Sequence, residues 1–495
     1  MTDLEERIAA LPPEKRKLLE AKLKQEGIDL SKRFKSFGES IYGAMEPSEE
    51  KEYYPLSPAQ VRIYVASRFN PEALSYNQHS VMELKGNITR EKMQAFARGM
   101  IQRHETLRTY FIMVDNKPVQ RIKPVSEVEP RLEFHEFSRE EIPEFLKRFK
   151  RPFDLTEPPL MRIACIHVGD DHYLILGDAQ HLVGDFTSVV IMGREYIAFE
   201  NKEQLPPLKL QYKDYLEWQR KPTVQEKIKK QEEFWLNEFQ GGPPVMNMPF
   251  DFQRPDKPTF DGANIIFSIE KEKVKKLRGL ALAEGTTIYT VLFAIFNILL
   301  AKICFQDDVV VGTVTQGRKH PDLEPIIGMF ANILPVRTRP AGEKSFTTFL
   351  KEIKEKTLAV FENQDYPFEN LVEKVAPKRG GSRHPIFDTY FHFYNSPPMQ
   401  PFKTGVTFIG YHEIKNFNTK IDLNFLANEI MQDEIEINME YSTELFKEDT
   451  VRRFANYYQD IVQAIIGNKD IKLKDLQVSH GLQAAQSQVK GDFAF

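Results

Sequence analysis

His172-Tyr173-Leu174-Ile175-Leu176-Gly177-Asp178-Ala179-Gln180-His181-Leu182-Val183-Gly184-Asp185-Phe186-Thr187 passes from a strand pattern, through a short loop, into a helical pattern. The strand His172 to Ala179 pairs backward with Pro159 to Val168 across Gly169-Asp170-Asp171, a strong hairpin turn. Forward, Thr187 to Glu200 carries Val189, Val190, Met192, Tyr196 and Ile197 at helical spacing, and Thr187 or Ser188 is the expected N-cap. A loop held between a strand and a helix is rigid yet faces solvent, which chemistry needs. His181 is therefore the first candidate: an imidazole titrating near neutrality can take a proton from an attacking amine or hydroxyl and return it later. Asp185 has two readings, an orienting carboxylate or a structural salt bridge that locks the loop; if it is buried, it requires an arginine partner. His-x-x-x-Asp alone is common, so its weight comes from the rest of the chain.

Working outward, the same alternation of strands and helices recurs on both sides of that loop. Glu91 to Arg108 and Val224 to Gln240 are helical, and Gly241-Gly242-Pro243-Pro244 marks a boundary region. Beyond it come a strand at Asn264 to Ile269, helices at Lys271 to Glu284 and Thr287 to Cys304, and a strand at Asp308 to Thr315. Ile386 to Tyr394 and Glu434 to Tyr441 again alternate like strands, and Lys447 to Ile466 reads as a last helix. With 495 residues, 41% hydrophobic and 28% charged, the chain predicts a globular α/β protein of two lobes; 37 Phe and 18 Tyr supply two cores. Residues 4 to 27 read as two short amphipathic helices split by Pro12 and Pro13, and Ser36 to Tyr53 as a linker. Residues 1–53 are thus a possible docking element, followed by lobes at 54–225 and 226–478 and a flexible tail at 479–495.

Several function classes are disfavoured. Basic and acidic residues number 67 and 71 for a net charge of −4, with no basic stripe for nucleic acid. The apolar run Ile288 to Phe305 contains Asn297 and Lys302 and reads as a buried helix, not a membrane span. Cys165 and Cys304 sit in apolar runs, too few for a zinc site or a disulfide framework. His79, His104, His167 and His172 have no metal-like partners in sequence, and no phosphate-binding or dinucleotide glycine motif is present. The acidic start lacks an apolar signal core, so a cytoplasmic monomer is expected, with no metal and no permanently bound cofactor.

Six patches, far apart and in order, then resemble one family. Tyr54-Pro55-Leu56-Ser57-Pro58-Ala59-Gln60-Val61-Arg62 and Arg103-His104-Glu105-Thr106-Leu107-Arg108-Thr109-Tyr110-Phe111 are similar to the first two motifs of nonribosomal peptide synthetase condensation domains. Tyr212-Lys213-Asp214-Tyr215-Leu216-Glu217-Trp218-Gln219 is similar to the segment that follows the catalytic loop. Ile327-Gly328-Met329-Phe330-Ala331-Asn332-Ile333-Leu334-Pro335-Val336-Arg337, Gln364-Asp365-Tyr366-Pro367-Phe368-Glu369-Asn370-Leu371-Val372 and Ser382-Arg383-His384-Pro385-Ile386-Phe387 resemble the later ones. The likeness spans about Tyr54 to Leu476.

The resemblance implies a fold of two chloramphenicol-acetyltransferase-like lobes arranged in a V around a central tunnel. It implies an acyltransferase that joins a carrier-tethered acyl thioester to an amine or hydroxyl. The family's loop reads His-His-x-x-x-Asp-Gly; here His181 keeps the reaction-centre histidine and Asp185 the structural aspartate, with Arg62 as its expected partner. Gln180 replaces the first histidine, and Phe186 replaces the glycine, a ring where backbone was bare. Gly184 is a candidate backbone oxyanion donor; Phe186, Ser188, Asn332 and Arg318 are candidates for the tunnel or acceptor side. Asn332 could instead cap a turn, and Arg318 could meet a phosphopantetheine phosphate or a loop carboxylate. Tyr212, Tyr215 and Trp218 read as packing. No adenylation motif or carrier attachment region is evident, so acyl and peptidyl carriers are expected in trans, with the N-terminal helices or the tail as docking elements. Two other functions stay open: a catalytically silent condensation-like domain that binds carriers or recruits a tailoring enzyme, and an acyl-CoA-dependent small-molecule acyltransferase.

Overall fold

A computed structural model describes residues 45–257, 259–376, 383–394, 402–411, 419–431 and 434–478. The amphipathic stretch at 4–27, Ser382 of the last motif and the tail at 479–495 lie outside the described residues.

The hairpin that introduces the candidate loop forms as its turn chemistry dictates. Strand β6 (Met161–His167) pairs antiparallel with β7 (His172–Gln180). Gly169 and Asp170 both take positive φ in the turn, 112° and 47°, which glycine and aspartate tolerate best. These strands sit in a five-stranded sheet completed by β2 (Asn77–Lys85), β5 (Arg131–Glu136) and β12 (Thr407–Tyr411), in the order β12-β2-β7-β6-β5. A small sheet, β1 (Tyr54–Pro55), β4 (Lys117–Ile122) and β3 (Thr109–Val114), flanks it.

The larger sheet holds β10 (Asn332–Thr338), β9 (Val309–Thr315), β11 (Thr389–Tyr394), β13 (Leu423–Met431), β14 (Glu434–Ser442) and β8 (Gly262–Ile269), in that spatial order. One face packs on the helix Ile288–Cys304, capped by Thr287 as its sequence predicts, and on the helix Glu448–Gly467. Phe293, Phe296, Phe391, Phe425 and Tyr458 meet there, each buried ring worth roughly 1.5–3 kcal/mol of transfer free energy. Asn297 is satisfied within that core: it donates to the Phe293 carbonyl and accepts from the Thr338 hydroxyl, both at 2.8 Å. Among the described residues no single helix is long and apolar enough to cross a membrane; one pair bent by 104°, Lys271–Ala283 with Ile288–Cys304, has the length and composition, and its second helix is this core helix.

The two halves exchange structure. Strand β12, from the region assigned by sequence to the second lobe, pairs antiparallel with β2 of the first sheet. Ile326, Met329 and Phe330 pack into the first-half cluster around Ile63, Phe111 and Leu182. Two close approaches demand glycine along this crossing segment. A Cβ on Gly328 would stand 2.3 Å from the Tyr212 ring, and one on Gly317, at φ +66°, would stand 2.0 Å from the Phe330 carbonyl oxygen. Those contacts bring the crossing segment up against the loop that holds His181.

Candidate active site

Asp185 ends the loop and starts the helix Phe186–Glu200. It is itself the N-cap, not Thr187 or Ser188: its Oδ1 accepts the Ser188 N–H at 2.9 Å and the Ser188 hydroxyl at 2.8 Å. A carboxylate at a helix N-terminus also meets the positive end of the helix dipole. The partner arginine is Arg318, which donates to Oδ2 at 2.7 Å and to Oδ1 at 3.0 Å, with both side chains 3% exposed. The Phe330 N–H gives Oδ2 a further bond at 3.2 Å. Arg318 also donates to the Ile326 carbonyl and lies over the Phe330 ring, 4.3 Å from its centroid. The bidentate fork saturates the carboxylate, so burying it is tolerable.

This corrects the expected Arg62–Asp185 pair. Arg62 donates instead to Glu369 Oε1 at 2.7 Å, tying the helix Pro58–Phe69 to the helix Phe368–Val375. The conserved-looking spacing of the opening motif could not distinguish two arginines that both end near the loop. Gln60, two residues earlier on the same helix and fully buried, does support the loop: its amide donates to the Leu182 carbonyl at 2.8 Å. Sequence reasoning passed over Gln60, although it stands inside the first motif.

His181 is fixed from both ends. Its backbone N–H donates to the Tyr76 carbonyl at 2.8 Å, and its Nδ1 lies 2.8 Å from the Gly184 carbonyl oxygen. A carbonyl only accepts, so Nδ1 carries the hydrogen and Nε2 presents its lone pair. Gln78 Nε2 approaches that lone pair at 3.5 Å. Burial, then the charge of Lys420, lowers the imidazole pKa to about 4. Neutral imidazole is thus the resting form. Asp185 does not orient the ring; the contact seen at Gly184 is that of its carbonyl, which does.

The ring keeps part of its surface accessible, as do Tyr390, His392 and Tyr394, and Lys420 is exposed. Tyr390, His392 and Tyr394 project from one face of β11, opposite buried Phe391. Phe186, 44% exposed, lays its ring against Tyr394 with centroids 4.1 Å apart.

Three expected channel residues are committed elsewhere. Arg318 and Ser188 belong to the Asp185 lock, with Ser188 1% exposed. Asn332 staples a loop: its amide donates to the Gln364 and Tyr366 carbonyls, each at 2.8 Å, and its oxygen accepts the Phe368 N–H at 3.3 Å. Gln180, expected to support the loop, is buried, and its Oε1 has no hydrogen-bond partner among the described residues. Tyr212 and Tyr215 pack on Phe330, as expected of them. Lys420 carried no local signal, because its neighbourhood is made by residues far away in the chain. No group of three or more His, Cys, Asp or Glu side chains among the described residues could hold a metal ion.

The loop thus carries a buried carboxylate lock and a neutral, partly accessible imidazole. The Condensation domain family model matches residues 50–486, and the chain belongs to that family. It is 38% identical over 438 residues to Gramicidin S synthase 2 of Brevibacillus brevis, covering 88% of this chain and 10% of that protein. It is 39% identical over 448 residues to Bacitracin synthase 3 of Bacillus licheniformis, covering 90% and 7%. The chain therefore spans about a tenth or less of the length of these relatives. In fold it is similar to the X-domain from teicoplanin biosynthesis, with TM-score 0.78, 23% identity and 88% and 99% of the two chains covered. It is also similar to the first condensation domain of the calcium-dependent antibiotic synthetase, with TM-score 0.73, 17% identity and 86% and 99% covered. Condensation domains of nonribosomal peptide synthetases are acyltransferases that work with carrier domains and their phosphopantetheine arms.

Proposed function

We infer that this chain is a competent condensation enzyme, joining a carrier-tethered acyl thioester to an amine or hydroxyl acceptor. The observation that carries this reading is the partly accessible His181 imidazole, with Nδ1 pinned to the Gly184 carbonyl and Nε2 left as an acceptor. The nucleophile's hydrogen would bond to that lone pair, which aims the nitrogen or oxygen at the thioester carbonyl. The new C–N or C–O bond forms as the carbonyl π pair moves to oxygen. Collapse then returns the pair, breaks the C–S bond and releases the arm as a thiol that takes up the nucleophile's proton. Alignment of this kind can contribute up to ~7–11 kcal/mol, more than a proton transfer of ~10²–10⁴-fold.

A second reading, a silent domain that recruits a partner, is favoured by Phe186 standing against Tyr394 and by the unpartnered Gln180 oxygen. The test incubates the protein with an acyl-loaded carrier protein and amine or alcohol acceptors, and follows the carrier by intact mass. Acyl transfer that is lost in His181→Ala supports the enzyme. Equal transfer by both proteins removes His181 from the chemistry, and carrier binding without transfer by either establishes the silent domain.

A further inference from the structure

Around His181 the charges are arranged unequally. Asp185, the nearby carboxylate, is neutralised by Arg318, and Arg62 is paired with Glu369. Lys420 is different. Its Nζ sits 3.5 Å from the centroid of the Tyr76 ring, and no carboxylate partners it among the described residues. Tyr76 is the residue whose carbonyl holds the His181 backbone, so ring and backbone link the ammonium to the imidazole through one residue. The lysine is also held in place: Thr419 and Ile421 on either side of it are buried, and the Thr419 N–H donates to the Phe260 carbonyl at 2.8 Å. The neutral amide of Gln78 completes the surroundings of the ring.

We propose that Lys420 is a catalytic residue of the condensation reaction, its ammonium receiving the negative charge that develops on the thioester carbonyl oxygen while His181 holds the nucleophile. The proposal rests on the enzyme reading above. A site with surplus positive charge disfavours an imidazolium and favours an oxyanion, so it suits an imidazole that orients the nucleophile and a lysine that answers the charge. Lys420 is exposed and its ammonium rests on the Tyr76 ring, so its charge is available to an anion that forms beside it. No proton need leave the lysine: the oxyanion's electron pair returns to carbon as the C–S bond breaks, and the ammonium is unchanged.

Two readouts on the full chain test this. In the first, His181 is titrated by NMR, its resonances assigned by comparison with His181→Asn, in wild type, Lys420→Gln and Lys420→Arg. Removing the charge in Lys420→Gln is expected to raise the His181 pKa by about one unit, the size a nearby charge commands, while Lys420→Arg stays close to wild type. In the second, transfer from an acyl-loaded carrier to a saturating amine is timed. Lys420→Gln is expected to lose ~10²–10³-fold in kcat with little change in KM, and Lys420→Arg to recover part of that loss. An unmoved His181 titration overturns the proposal whatever the turnover, and so does wild-type kcat in Lys420→Gln. A wild-type protein that transfers nothing overturns the enzyme reading, and with it the catalytic role of Lys420; a titration that still moves then leaves Lys420 only as the charge beside His181.

Discussion

The two ends of the loop Gln180 to Phe186 live in opposite environments. At Asp185 both carboxylate oxygens are occupied by Arg318, Ser188 and Phe330, and the side chain is buried. At His181 one nitrogen is fastened, and among the described residues the other has the long contact from Gln78. A short loop thus separates a site that is spent on stability from one that is kept available for chemistry. On the proposed reading the aspartate acts through the backbone on which the imidazole stands.

The comparison can be broken first at its stable end. Arg318→Met leaves the Asp185 carboxylate buried without its counter-charge, and is expected to cost about 3–5 kcal/mol in urea unfolding and to take activity with it. At the other end, His181→Ala is expected to lower transfer ~10²–10⁴-fold while shifting the unfolding midpoint little. The pH dependence sharpens the same contrast. An unfolded histidine takes its proton near 6.5 and this one near about 4, so between those values the unfolded chain binds more protons. Turnover should therefore persist as pH falls past 6.5 and decline toward about 4, while this residue's contribution to stability turns against the fold across that window. A rate profile that breaks near 6.5 would show the ring to be solvated.

A smaller effect is expected between the two ends. Phe186→Gly removes the ring from Tyr394 and should widen the range of acceptors, improving bulky ones by ~10–200-fold relative to small ones, measured as ratios of kcat/KM. The smallest change belongs to the displaced arginine. Arg62→Met breaks a partly buried pair with Glu369, 32% and 19% exposed, and should cost less than Arg318→Met in the same unfolding experiment. If Arg62→Met proved as costly as Arg318→Met, the assignment of the lock would be reversed.

Much of this was legible in the chain. The hairpin β6–β7 lies where Gly169-Asp170-Asp171 placed it, and the helix Ile288–Cys304 starts at its Thr287 cap, because turns and caps are chosen by a few adjacent residues. Strands β2, β10, β12 and β13 were not marked by clear alternation, since strands whose two faces meet different neighbours carry mixed patterns. The loop was found, and within it His181; the helix cap was misplaced because Ser188 follows Asp185 in a capping box whose two members look alike in sequence.

What the sequence determined alone is the hairpin and helices around the loop, the family and the position of the imidazole, since these rest on local patterning and on motifs readable in one dimension. The tertiary structure decided which arginine meets Asp185, that Asn332 and Ser188 are spent on backbone and carboxylate, and that Lys420 stands beside Tyr76. The reason is physical. The Arg318–Asp185 and Lys420–Tyr76 contacts bring together residues more than a hundred positions apart, and a side chain's charge partner is fixed by where it lies in space rather than by what it follows in the chain.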